Sequence, residues 1–145
     1  MKKRLVPVLL VLIVTLLVAM SVQASTPQEF YLEKTCQAET YCDIHDAEGP
    51  FKVLNGGRIY YFDHNYFENP AGIAKETSRV LLISGDGKHS LTGFVSWVWR
   101  DAFKGTYTIV SGTGDLVGVH AVGKVYLLDD ENWTFSLTGT YHVEP

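Results

Sequence analysis

From Trp133 to Thr138 large apolar residues alternate strictly with hydroxyls: Trp133, Phe135 and Leu137 on one side, Thr134, Ser136 and Thr138 on the other. A period of two is that of a strand with one buried and one solvated face. Tyr141 and Val143 continue the apolar side past Gly139, with Thr140 and His142 opposite. The preceding run, residues 124–128, joins this strand through Asp129-Asp130-Glu131-Asn132, a polar turn, and the two predict a β-hairpin. The pattern recurs upstream. Residues 106–109 alternate, and residues 91–100 place Val95, Trp97 and Trp99 on one face with Phe94, Ser96, Val98 and Arg100 on the other. Residues 78–84 are apolar enough to be buried on both faces, and Asp86-Gly87 marks a hairpin turn after them. Residues 58–62 and 51–54 read as two further strands around an Asn55-Gly56-Gly57 turn. Pro70 and Gly72 mark residues 69–76 as a loop.

Helical periodicity is nearly absent, so the chain reads as all-β: seven or eight short strands linked by tight turns, an antiparallel meander. A meander this small must dispose of its edge strands, and closing into a barrel removes them. The scattered glycines favour a barrel over a sandwich, because barrel strands need glycine where they bend and approach closely.

The N-terminus has a different character. Met1-Lys2-Lys3-Arg4 is cationic, residues 5–20 are uncharged and mostly aliphatic, and Ser21-Val22-Gln23-Ala24 sets small residues at the −3 and −1 positions of a cut after Ala24. That three-part order predicts a secretory signal peptide over residues 1–24, in preference to an uncleaved membrane anchor, and a single barrel domain over 25–145. Removing 24 of the 145 residues leaves 121, enough for one core, and no second apolar run approaches membrane-spanning length. The expected location is the periplasm or the external medium, with no membrane association after cleavage. The mature chain would carry nine basic against 16 acidic residues, a net charge of −7 with histidine neutral. So acidic a domain, with no basic stripe, lacks the footprint of a nucleic-acid binder.

Export changes the reading of the two cysteines. Cys36 and Cys42 form an even pair in an oxidising compartment, which predicts a disulfide. The alternative is a metal held by Cys36, Cys42, His45 and His64, but the spacing matches no standard zinc signature.

The stretch from Gly105 to Gly123, with Gly112-Thr113-Gly114-Asp115-Leu116-Val117-Gly118 at its centre and a terminal hairpin after it, resembles the glycine-rich signature of the allene oxide cyclase-like and dirigent-like barrels. It is most similar to a bacterial branch of unassigned function. The resemblance spans about 40 residues, from Phe103 to the C-terminus. It implies a calycin-like antiparallel barrel of about eight strands with an apolar lumen, which plant relatives use to fold a reactive fatty-acid derivative or to steer radical coupling. No catalytic residues carry over, since the matching positions are glycines. Those glycines carry backbone geometry. A phosphate-cradling loop is excluded, because no Walker lysine follows and strands rather than a helix lie downstream.

The chemistry-bearing residues are dispersed. His45, His64, His89, His120 and His142 do not cluster in sequence, and there is no nucleophile elbow, no zincin motif and no cofactor-binding motif. Asp129-Asp130-Glu131 is a solvated turn rather than a calcium site, and the Asn132-Trp133-Thr134 sequon carries no weight behind a bacterial-style signal. Asp63 and His64, ending an aromatic strand where a barrel mouth would lie, are the candidate catalytic pair, although neighbours on a strand point to opposite faces. Tyr61, Trp97 and Trp99 are the candidate ligand-binding aromatics, the competing reading being simple core filling. These features imply an exported barrel that binds a small apolar ligand or a protein partner. The rival is a cyclase- or isomerase-type enzyme acting on an apolar substrate in the lumen. Export is directly checkable. N-terminal sequencing of the mature protein should begin at Ser25, and a membrane-extracted chain still beginning at Met1 would contradict the cleavage.

Overall fold

A computed structural model describes residues 26–99 and 103–144. The side chains of Trp99 and Phe103 lie outside that description, as do the expected signal peptide and the expected outward face of Arg100. Eight strands follow one another: β1 (Gln28–Ala38), β2 (Tyr41–Ala47), β3 (Arg58–Glu68), β4 (Ala74–Ile83), β5 (Ser90–Trp99), β6 (Phe103–Thr113), β7 (Val119–Asp129) and β8 (Thr134–Val143). Each pairs antiparallel with the next, and β8 returns to β1, from Gln28 opposite Tyr141 to Thr35 opposite Thr134. The sheet is thus a closed antiparallel barrel, as the alternation and turn spacing predict, and its eight strands include β1 and β2, which that pattern did not mark.

Alternation sorts the side chains. Leu32, Val80, Val95 and Tyr107 point inward and are essentially inaccessible, whereas Phe94 and Val122 stand on the outer wall. Two expectations about faces change. Residues 78–84 are not buried on both sides: Ser78, Val80, Leu82 and Ser84 are buried, while Arg79 is exposed and Leu81 and Ile83 are half-covered on the outside. Trp133, expected in the core with Phe135, Leu137 and Tyr141, is 50% exposed. Its φ of 51° places it in the turn, so the alternation read from sequence begins one residue later, at Thr134.

One end of the barrel is plugged. The expected strand over 51–54 is instead a 3-10 helix, Gly49–Leu54. Pro50 opens it, at a position where a helix needs no N–H donor. Phe51 stacks on Phe30 of β1 with centroids 4.6 Å apart and meets Tyr141 of β8 edge-on at 5.6 Å. The glycine-rich segment supplies the rest of the plug. A Cβ on Gly112 would come 2.0 Å from the Leu116 carbonyl oxygen, so only glycine lets this loop fold back and seat Leu116 inside. His89 Nδ1 accepts the Asp115 N–H at 3.0 Å and ties the loop to the β4–β5 turn.

In urea unfolding, Phe51→Ala should cost about 3–5 kcal/mol, the range for deleting a buried phenyl ring. Phe67→Ala on the outer wall should stay within about 0.5 kcal/mol. Equal costs would mean that the plug does not close the core.

Candidate functional site

The opposite end is open. A cavity of about 530 Å³ enters the lumen there, within the size range of small-molecule sites. Tyr61 of β3, Trp97 of β5 and Phe135 of β8 form its inner wall, and Glu39, Asp130 and Trp133 belong to its outer part.

Lys34 also lines this cavity. Phe30, Leu32 and Lys34 occupy alternate positions of β1, so the pleat that buries the first two carries the lysine into the lumen, where it is 1% exposed. Its Nζ donates to the Tyr61 hydroxyl at 2.7 Å and to the Cys36 and Cys42 sulfurs at 3.5 Å each. Four rings surround it, with centroids 4.7 Å (Phe135), 5.2 Å (Tyr61), 5.2 Å (Trp97) and 5.9 Å (Tyr107) away. Ring faces attract an ammonium, but none of them neutralises it. Burial alone pulls the Lys34 pKa from its ordinary 10.5 down to about 7, with no carboxylate among the described residues holding it up. Tyr61 in turn hydrogen-bonds the Tyr107 hydroxyl, and burial pushes both phenols upward, so both stay protonated.

Cys36 and Cys42 are directly opposed on β1 and β2 and are joined as the expected disulfide. The bridge forms the floor beside Lys34, which rules out the Cys-His metal set. Among the described residues no group of three or more metal-ligating side chains converges.

The candidate pair Asp63 and His64 is separated by a β-bulge. Phe62 pairs with Arg79 and Asn65 with Thr77, which leaves two residues facing Ser78 alone. Asp63 takes the strained position, φ 55°, tolerable for aspartate. Its carboxylate turns to the outer wall and meets Arg79 at 3.0 Å. His64 turns into the cavity, where Nδ1 lies 2.6 Å from Glu76 Oε1 and 3.0 Å from Ser78 Oγ. Carboxylate and hydroxyl converge on the same ring nitrogen, so His64 is held by Glu76 and is not arranged to draw a proton from Ser78 through its other nitrogen. Of the expected ligand-binding aromatics, Tyr61 and Trp97 line the cavity together, while the Trp99 side chain lies outside the described residues. Trp97 owes its place to Gly105, where a Cβ would come 2.4 Å from the indole. His45, His89, His120 and His142 do not line the cavity. His120 and His142 stack with centroids 5.3 Å apart near Glu144.

The residue that sequence reasoning missed is Lys34. The signal was there, since a period of two from Phe30 through Leu32 carries it onto the apolar face. Comparisons with protein families, curated proteins and solved structures find no match to this chain.

The buried amine has a thermodynamic signature. With its folded pKa near 7 and an unfolded value near 10.5, Lys34 binds fewer protons folded than unfolded between those pH values, so stability rises with pH across that window. The slope approaches about 1.4 kcal/mol per pH unit, so urea unfolding should show a gain of roughly 2–3 kcal/mol between pH 7 and 9. The raised phenols of Tyr61 and Tyr107 oppose this only above their ordinary pKa of 10. Lys34→Met should flatten the slope and raise stability at pH 7. An unchanged slope would mean that the amine is solvated.

Proposed function

We propose that this protein is an exported binding barrel that takes a small, largely apolar molecule into the open end of its lumen. The observation that carries the reading is the 530 Å³ cavity walled by Tyr61, Trp97 and Phe135, because a barrel filled by its own side chains would leave no such volume. Its polar groups are few and convergent, Lys34 and Tyr61 at the bottom and His64 with Glu76 nearer the mouth, the pattern of a site that orients one ligand. Export is supported by the signal-like N-terminus and by the Cys36–Cys42 bridge, which persists in oxidising compartments.

The cyclase or isomerase reading draws on the resemblance of the Gly105 to Gly123 segment and on one geometric fact. Glu76 fixes the His64 ring at the cavity wall, where it could serve as an acid or base. Asp63 has no part in this reading, because its carboxylate faces away from the lumen.

Titration with the neutral apolar dye Nile red separates these cases. Binding should be saturable at one site per chain, and Trp97→Ala should weaken it at least tenfold. His64→Gln should change dye affinity less than threefold, and an apolar ligand co-purified with the protein should be released chemically unchanged. Failure of the dye to saturate would overturn the binding reading. Conversion of the co-purified ligand by wild type, lost in His64→Gln, would replace it with the enzyme.

A further inference from the structure

The lumen holds an amine that the binding of an apolar molecule does not by itself require. Lys34 is almost wholly buried, sits at the inner end of the cavity and has no carboxylate partner among the described residues. A buried lysine left without a counter-charge is costly to a fold, and replacing it with an apolar residue would relieve that cost. Three properties of its surroundings define what it could meet. The ammonium form repels a cationic ligand at the inner end. Glu39, Glu76 and Asp130 line the same cavity against the single imidazole of His64, so an anion entering must pass a predominantly acidic mouth. The aromatic wall selects an apolar body. What remains is a neutral apolar molecule, and a carbonyl is the neutral polar end with which an unprotonated amine forms a bond.

We propose that Lys34 forms a reversible imine with a neutral, apolar aldehyde or ketone held in the barrel lumen. The proposal rests on the binding reading and names the ligand class of that same cavity. The unprotonated amine attacks the carbonyl carbon, and one N–H proton passes to the carbonyl oxygen to give a carbinolamine. Loss of that hydroxyl with the second N–H proton as water leaves the C=N bond. Amine plus carbonyl therefore gives imine plus water, with no oxidant or reductant consumed. The Tyr61 hydroxyl, 2.7 Å from Nζ and backed by Tyr107, is placed to hand a proton to the departing hydroxyl and to recover one from nitrogen. The disulfide sulfurs at 3.5 Å offer no competing nucleophile, since neither is a thiol. Burial supplies the unprotonated amine near neutral pH, where exposed lysines are almost wholly ammonium. The titratable groups facing Lys34 from the packed strands are the phenols of Tyr61 (β3) and Tyr107 (β6). His64 (β3), Glu76 (β4), Glu39 and Asp130 share the cavity.

The test uses the mature, disulfide-bonded protein with octanal at pH 7.5, trapped with cyanoborohydride. Intact mass should show one adduct per chain, heavier by the mass of octanal less one oxygen, and peptide mapping should place it on Lys34. Lys34→Met should lose the adduct, and 1-octanol should displace Nile red from the wild type. Label spread evenly over exposed lysines such as Lys75 and Lys124 in the wild type would overturn the proposal whether or not the variant folds. If octanol displaces the dye but octanal is not trapped at Lys34, the imine falls and the binding barrel stands. If neither displaces it, both fall. Tighter binding of octanoate than of octanol would also overturn the proposal, because it would make Lys34 a counter-ion for a carboxylate.

Discussion

Everything in this molecule follows from the pairing of its first strand with its last. Eight consecutive hairpin-linked strands would otherwise make a curled sheet with two open edges and one face too wide to bury. The β1–β8 ladder turns that sheet into a tube with an inside and an outside. Once the tube is closed, each strand commits every second residue to a shared interior about as wide as two facing side chains. The 3-10 helix Gly49–Leu54 and Leu116 can then plug one end, and the opposite end is left as a mouth. Closure also explains why a lysine can be trapped. Lys34 pairs with Phe135 in the ladder that closes the wall, and the pleat there turns its side chain into the lumen.

Strand existence and facing were legible where alternation was clean, as in Val95 and Trp97 of β5 or Phe135 and Leu137 of β8. The errors have physical causes. Phe51 and Leu54 look like strand residues because apolar content alone cannot distinguish a short buried helix from a short strand. Trp133 was misplaced because alternation in sequence does not reveal a left-handed residue at the strand boundary. Residues 78–84 carry Leu81 and Ile83 on an outer face where hydrophobicity does not mean burial.

The site was half legible. Tyr61 and Trp97 stood out by bulk, and Cys36 with Cys42 by compartment, but neither argument points to Lys34. A lysine is normally taken as a marker of the solvated face, and only its phase relative to Phe30 and Leu32 contradicts that. His64 and Asp63 were singled out together, and the fold divides them, one to the lumen and one to Arg79 outside.

The bulge at Asp63 sets the parity of β3. A strand without a bulge would carry Tyr61, Asp63 and Asn65 inward, and His64 and Tyr66 outward. The extra residue at position 63 shifts the count by one, so that His64 and Tyr66 reach the cavity instead. Removing Asp63 would therefore leave the same residues facing the lumen, because a regular strand would then run Tyr61, His64, Tyr66. Removing a single residue from the unbulged stretch just before it would exchange inner and outer sets along that part of β3. The chemistry of the mouth is written in the number of residues as much as in their identity, and a one-residue insertion or deletion could refashion it more completely than a substitution.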